Sequence, residues 1–148
     1  MPSVNPLGKF AINSVVSAFS LRSNGNMSFS FGNPEGILEN RKKFLSSLSI
    51  DYQSLITAKQ VHGNNVEYVT GENKGRGALD YESSVLDTDG FITDLPGVPM
   101  AILTADCLSV FIYDPRRPAI GILHAGWRST EKNIAQAGVS RMQEKFAS

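Results

Sequence analysis

Apolar and polar residues alternate along the N-terminal part of the chain. Val15, Ser17 and Phe19 form one alternating stretch and residues 27–31 form another, with Ser-Asn-Gly-Asn between them. Alternation with a period of two, interrupted by turn residues, is typical of two short strands joined by a turn. We therefore expect a half-buried antiparallel pair of strands in this region.

A helix signal follows these strands. Asn33 suits the N-cap, Pro34 suits the first helical position, and Glu35 places a negative charge in the first turn. The apolar face of this helix would carry Ile37, Phe44, Leu45 and Leu48. The sequence therefore predicts a helix that starts at Pro34.

The second half of the chain carries the strongest apolar runs. Residues 100–104, 110–113 and 119–123 form three such runs, and the turn-like DPRRP separates the last two. Continuous apolar runs of this length predict buried central strands. A final helix is predicted after them, with Ser129 or Thr130 as its cap. Its apolar face would carry Ala135, Val139, Met142 and Phe146.

Weaker patterns connect the two halves. Residues 55–60 and 65–70 are predicted strands, and the HGNN between them has turn chemistry, which places His62 on a loop. Residues 71–89 are rich in Gly, Glu, Asp and Ser and predict a surface loop. No domain boundary is visible there, so we expect one domain over residues 1–148.

Composition and charge argue against binding to nucleic acid or to a membrane. The 148 residues include 14 basic and 14 acidic side chains, so the net charge is zero and no long-range field attracts nucleic acid or an anionic membrane. The apolar stretches are far shorter than the roughly 20 residues of a membrane span, and the N-terminus does not resemble a signal peptide. Cys107 is the single cysteine and has no partner for an internal disulfide. We therefore expect a cytoplasmic protein that binds neither nucleic acid nor membrane.

Three residues stand out as candidates for chemistry. His62, Cys107 and His124 are all the histidines and cysteines of the chain, and each lies where a predicted strand meets a loop. A thiolate and two imidazoles are suitable zinc ligands, and three protein ligands with a fourth position open are typical of catalytic zinc. In a second reading, Cys107 is a nucleophile and His124 its base. In a third, Cys107 is a small buried apolar residue and each histidine satisfies a local hydrogen bond.

Five further residues are candidates for a catalytic or binding role. Arg128 stands at the start of the final helix, where a guanidinium and free backbone amides can hold phosphate. Trp127 can stack on a nucleobase or pack in a core. Asp106 can orient a histidine, act as an acid or base, or cap its loop. Arg22 is a second candidate for an anion site, and Gln60 is a candidate hydrogen-bonding group at the same site.

Four sequence motifs resemble one known family. KQVHGNNV, DTDGFITD, MAILTADCLSVFIYD and AIGILHAGWRST, in that order, resemble the YfiH-type family, also called laccase-domain or polyphenol oxidase proteins and now read as purine nucleoside phosphorylases. The resemblance implies an α+β fold with a mixed β-sheet core and flanking helices. It also implies zinc on His62, Cys107 and His124, with a purine nucleoside site nearby. The implied activity is phosphate-dependent cleavage of adenosine, inosine, guanosine or methylthioadenosine, with adenosine deamination beside it.

The chain departs from the family pattern at several places. Ser129 stands where a glycine usually follows HAGWR, and Ser109 stands where a proline is usual. The family's Arg-x-Gly-Gly segment is only loosely matched by Arg22 and the three residues after it. Family domains continue well beyond the helix after HAGWR, so the chain resembles a C-terminally shortened member. We expect either a truncated or split gene product, or a core that is completed by a second copy or by a complementing C-terminal fragment.

The resemblance therefore implies a zinc-dependent purine nucleoside phosphorylase that acts on a purine nucleoside and phosphate. The alternatives are a Cys/His hydrolase or deamidase, and a catalytically inactive assembly piece. A copper polyphenol oxidase is disfavoured, because a multicopper centre needs many imidazoles and the chain has two histidines. A single copper ion on Cys107, both histidines and Met100 is compatible by ligand type. The zinc deaminase signature of H-x-E with P-C-x-x-C is absent, so any deamination would use an unrelated site.

Overall fold

The computed structural model describes residues 9–12 and 15–148, with side chains from Val15 onward. The chain forms two compact units that divide after Tyr52, and each is described here by itself. Helices and a mixed sheet occur together, which confirms the α+β class. Within the described residues, every helix is too short or too polar to cross a membrane.

The N-terminal unit contains a two-stranded antiparallel sheet. Strand β1 spans Lys9–Ile12 and strand β2 spans Val15–Ala18. The antiparallel pair is present and β2 belongs to it, but its partner precedes it in the chain. The predicted strand over residues 27–31 is wrong, because this segment forms loop and turn.

Side chains bind the backbone of this segment in place of a neighbouring strand. The Asn26 side chain accepts a hydrogen bond from the Ser28 amide at 2.9 Å and donates to the carbonyls of Ser28 and Phe31. The Arg41 Nε donates to the Met27 carbonyl at 2.8 Å. These contacts use backbone groups that a strand ladder would need, so alternation alone does not produce a strand here.

Helix α1 spans Pro34–Ser46 and confirms the first predicted helix. The Asn33 side chain accepts a hydrogen bond from the Glu35 amide at 3.1 Å, as expected of an N-cap. Arg41 is buried on this helix, and its guanidinium lies 4.4 Å above the centre of the Phe29 ring. Burial lowers the pKa of Arg41 to about 10, so the side chain is still charged at neutral pH.

The C-terminal unit is built on a four-stranded mixed sheet. Its strands are β3 (Val66–Tyr68), β4 (Gly90–Thr93), β5 (Leu108–Asp114) and β6 (Ala119–Ala125), in the spatial order β3-β4-β6-β5. β3 runs parallel to β4, whereas β6 is antiparallel to both β4 and β5. The strand β6 is central as predicted, but β5 lies at an edge of the described sheet.

Two other strand predictions differ from the structure. Residues 55–60 and 100–104 are extended, but they pair only through isolated bridges, Ile56 with Met100 and Ala58 with Val85. Strand β4 was not predicted, because its four residues are buried on both faces and therefore show no alternation. Short strands that are buried on both faces lack the alternation of apolar and polar residues that identifies half-buried strands.

The sheet separates two apolar clusters. On one face, Phe91 and Ile122 pack with the extended segments, and that cluster comprises Ile56, Ala58, Val69, Val85, Phe91, Val98 and Ile122. On the other face, Leu123 packs beneath the C-terminal helix, and that cluster comprises Val66, Ile92, Ala119, Leu123, Ile134 and Met142. Burial of this apolar surface is the main contribution to the stability of the unit.

Two helices follow the sheet, where one was predicted. Helix α2 spans Trp127–Glu131 with Gly126 at its N-cap, and helix α3 spans Ile134–Phe146. Asn133 lies between them with a φ of 59°, a left-handed conformation that interrupts the helical path. The predicted caps Ser129 and Thr130 are therefore wrong, since both residues lie inside α2.

The buried face of α3 differs from the predicted one. Met142 is buried as expected, but Ala135 and Val139 are exposed, and Ile134 and Gly138 face the core in their place.

Gly90 lies where two strands approach β4 closely, so alanine should not fit there. A Cβ at this position would lie 2.6 Å from the Leu123 side chain and 3.2 Å from the Ile122 carbonyl oxygen. We expect Gly90→Ala to lower the free energy of unfolding by about 1–3 kcal/mol through overpacking. Gly71→Ala is the matched control, because no atom lies within 4 Å of its added Cβ. Urea denaturation measures both, and equal midpoints would contradict the packing of β4.

Candidate metal centre

The structure brings His62, Cys107 and His124 together in the C-terminal unit. Their ligand atoms all lie within 4.8 Å of one another, and the two imidazole rings meet edge to face with centroids 4.8 Å apart. These three residues are the members of the metal-ligand cluster found among the described residues. The structure therefore brings the three candidate ligands together, and metal binding by them stays a prediction.

Each of the three side chains comes from a different element. His124 lies on the central strand β6, and Cys107 directly precedes the edge strand β5. The register pairs Leu108 with Ala125, so Cys107 lies next to the end of β6. His62 lies on a loop with a φ of 55°, an uncommon conformation for a residue other than glycine. Strand pairing therefore places two ligands, and a special loop conformation places the third.

Asp89 connects the histidines and was not among the predicted site residues. Its carboxylate accepts hydrogen bonds from His124 Nδ1 at 2.8 Å and from the backbone amides of Val61, His62 and Gly63 at 3.1, 2.9 and 2.7 Å. Burial alone would raise the pKa of Asp89, but the bonds from His124, Gly63 and Val61 outweigh it and lower the pKa. The buried group is therefore a carboxylate at neutral pH.

The hydrogen bond to Asp89 decides which nitrogen of His124 is available. An ionised carboxylate only accepts hydrogen bonds, so the proton lies on His124 Nδ1. The Nε2 lone pair is then free to bind a metal ion. His124 itself is buried.

Gly126 provides the space around the cluster. A Cβ on Gly126 would lie 3.0 Å from Cys107 Sγ and 3.0 Å from His62 Cδ2. The backbone angles of Gly126, φ −68° and ψ 168°, are open to any residue, so space and not conformation requires glycine here. Sequence reasoning missed this role, although the residue lies between His124 and Trp127.

The donor set fits a metal ion. One thiolate and two imidazoles match the soft and borderline ligands that zinc accepts, with a fourth position open. The same set is compatible with copper by ligand type. Cys107 is partly buried, and its Sγ lies 3.9 Å from Oδ1 of the exposed Asp106.

The remaining candidate residues have different surroundings. Trp127 is 68% exposed, and the guanidinium carbon of Arg128 lies 4.4 Å from the centre of its ring. The Gln60 amide donates to the Leu103 carbonyl at 2.8 Å and accepts from the Leu103 amide at 2.7 Å. Arg22 is exposed in a 3-10 turn of the N-terminal unit. Substrate roles for these residues stay predictions.

Comparison with known proteins decides the family. Residues 14–148 match the family described as multi-copper polyphenol oxidoreductase laccase. The chain belongs to this family. It is 37% identical over 112 residues to the purine nucleoside phosphorylase YlmD of Bacillus subtilis, a match that covers 76% of this chain and 40% of the relative. It is 27% identical to an adenosine deaminase of an unknown prokaryotic organism, over 72% of this chain and 40% of that relative.

Solved structures agree with the fold. YfiH of Bacillus licheniformis superimposes with a TM-score of 0.88 and 29% identity, over 97% of this chain and 58% of that one. YlmD of Geobacillus stearothermophilus gives a TM-score of 0.77 and 30% identity, over 81% and 44% of the two chains. The expected YfiH-like fold is therefore confirmed. The chain spans about 40% of the length of the curated relatives it matches.

Gly126→Ala tests whether the cluster binds metal in the geometry described. Ligands must be held within about 0.5 Å of their productive positions, and the added methyl would displace Cys107 or His62, so we expect zinc binding to weaken by about tenfold or more. Competition with a chromophoric chelator measures the affinity, and Gly71→Ala is the control. Unchanged zinc affinity in Gly126→Ala would contradict a site formed by these ligands.

Proposed function

We propose that this chain carries the zinc centre of a purine nucleoside phosphorylase. The observation that carries the proposal is the convergence of His62, Cys107 and His124, whose ligand atoms lie within 4.8 Å of one another. The names of relatives such as the YlmD phosphorylase support the substrate class. When bound, zinc supplies positive charge and Lewis acidity at the site.

Phosphorolysis sets two demands on the surrounding residues. The bond between the sugar C1′ and the purine nitrogen breaks, its electron pair leaves with the purine, and a phosphate oxygen forms the new bond to C1′. The departing purine takes up a proton. The site must therefore hold an anion close to C1′ and a proton donor close to the base.

Exposed residues beside the cluster meet these demands in the proposal. Arg128 binds phosphate, because its guanidinium offers paired donors to phosphate oxygens. Trp127, largely exposed, offers an aromatic face to the purine. Asp106, next to Cys107, is the group that we propose transfers a proton to the leaving base. Gln60 is a further proposed substrate contact.

Zinc is the proposed metal, and a single copper ion is the alternative. The laccase chemistry in the family description needs several copper ions with many imidazole ligands, whereas this chain offers two histidines and one cysteine. A reduced cysteine as ligand suits the cytoplasm, where we place the protein. Adenosine deamination is proposed beside phosphorolysis, since one relative is named an adenosine deaminase.

The arrangement of Asp89, His124 and Cys107 favours a second candidate function. A carboxylate bound to His124 Nδ1, with the Cys107 thiol within 4.8 Å of the histidine's ligand atom, resembles the set of groups in a nucleophilic triad. In that case the chain is a Cys/His hydrolase or deamidase and works without metal. Alkylation of Cys107 in metal-free protein then removes all activity.

A third candidate is an assembly piece without activity of its own. Strand β5 lies at the edge of the described sheet, and Leu108 on it is 65% exposed. Because an exposed sheet edge can pair with a further strand, a second copy or a complementing C-terminal fragment is the proposed partner at this edge.

The proposed activity is tested by release of free base from inosine and adenosine. We expect the zinc-loaded chain to release base only when phosphate is present, and His124→Ala to lose both zinc and turnover, because one ligand is gone. Chromatography detects the released free base. It also detects inosine formed from adenosine, which reports deamination. Zinc content and turnover that both survive in His124→Ala would contradict the proposal. Activity of the metal-free chain that alkylation abolishes would favour the hydrolase.

A further inference from the structure

We propose that Asp89 is a positioning residue that holds both histidine ligands of the metal centre with one carboxylate. This inference rests on the metal centre of the proposed function and not on its substrate. Asp89 is fully buried directly before β4, between the loop that carries His62 and the strand that carries His124.

The carboxylate of Asp89 has no acceptor capacity left. Its Oδ1 accepts from His124 Nδ1 and from the His62 amide, and its Oδ2 accepts from the amides of Val61 and Gly63. A carboxylate has about four acceptor positions, two on each oxygen, and four donors occupy them. The carboxylate therefore orients the His124 ring and the loop of residues 61–63, and it is not itself a metal ligand.

The bond to His124 sets the tautomer of the ring. With its Nδ1 proton donated to Asp89, the imidazole keeps Nε2 unprotonated and available to a metal ion. The backbone reinforces this placement, since the His124 amide donates to the Asp89 carbonyl at 2.7 Å. Side chain and main chain of Asp89 together fix the ring relative to β4.

The bonds to the loop hold His62 in its left-handed conformation. Three successive amides, of residues 61–63, point to one carboxylate, which requires the chain to curl around it. The φ of 55° at His62 is part of that curl. Without the carboxylate, these amides would lose their partner and the loop would relax, so His62 would leave its position in the cluster.

Asp89→Asn is the sharpest substitution, because it keeps the shape and replaces one acceptor oxygen with a donor. In either orientation of the amide, its NH₂ group faces donors. If it faces His124, the ring must accept on Nδ1 and carry its proton on Nε2, which removes the ligand lone pair. We expect zinc affinity to fall by about 10–100-fold.

The control is Asp87→Asn, which makes the same change of charge on the same segment. Asp87 is exposed, and its φ of 47° lies in a region that asparagine tolerates well. Zinc affinity, measured by chelator competition, should equal that of the unaltered chain. Equal affinity in Asp89→Asn and Asp87→Asn would overturn the proposal.

A spectroscopic readout separates positioning from a general loss of structure. The chain has two histidines, so nitrogen chemical shifts of the metal-free protein report both tautomers directly. We expect the His124 proton on Nδ1 in the unaltered chain. In Asp89→Asn the proton moves to Nε2 if the new NH₂ group faces His124, and if that group faces the loop, the proton stays on Nδ1 and the amides of Val61 and Gly63 lose their acceptor.

If Asp89→Asn does not fold, the unaltered chain still shows whether the His124 ring has the tautomer that the bond to Asp89 requires. A His124 proton on Nε2 in that folded, metal-free chain would overturn the proposal. Base release has no part in either readout. A chain that binds zinc with the expected tautomer but cleaves no nucleoside would support Asp89 and contradict the proposed function alone.

Discussion

The hydrogen bonds of one buried carboxylate connect the parts of the candidate metal centre. Asp89 accepts from the side chain of His124 and from three amides of the loop that carries His62. A buried charge is costly unless it is fully hydrogen-bonded, and here four donors satisfy it. The carboxylate and the loop therefore depend on each other, because neither is stable in this conformation without its partner.

Strand pairing in the mixed sheet brings the residues of the candidate site together. Pairing of β4 with β6 brings Asp89 beside His124, and pairing of β5 with β6 brings Cys107 to the same end of the sheet. Gly126 then keeps the space between Cys107 and His62 free of a side chain. Residues far apart in the chain thus form one site through strand pairing, with little contribution from local sequence.

Much of the fold could be predicted from local patterns. Helix α1 has a sequence cap at Asn33, and the runs of β5 and β6 are long and apolar, so each carries its own signal. Strand β4 is short and buried on both faces, which removes the alternation that predicts strands. Residues 27–31 alternate, but Arg41 of α1 binds the Met27 carbonyl and lies over the Phe29 ring, so a tertiary contact overrides the pattern.

In the candidate site, too, some residues could be identified from the sequence and others only from tertiary contacts. His62, Cys107 and His124 could be selected by residue type, because the chain has so few metal-ligating residues of this kind. Asp89 is one of 14 acidic residues, and Gly126 is one of 13 glycines. Their importance comes from distances to other elements, and no spacing along the chain displays it.

The central claim is that the three residues bind one zinc ion together. X-ray absorption at the zinc edge of the loaded chain tests this most directly. The account predicts one sulfur at about 2.3 Å and two imidazole nitrogens at about 2.0–2.1 Å. A zinc shell without sulfur, or with fewer than two imidazoles, would contradict it.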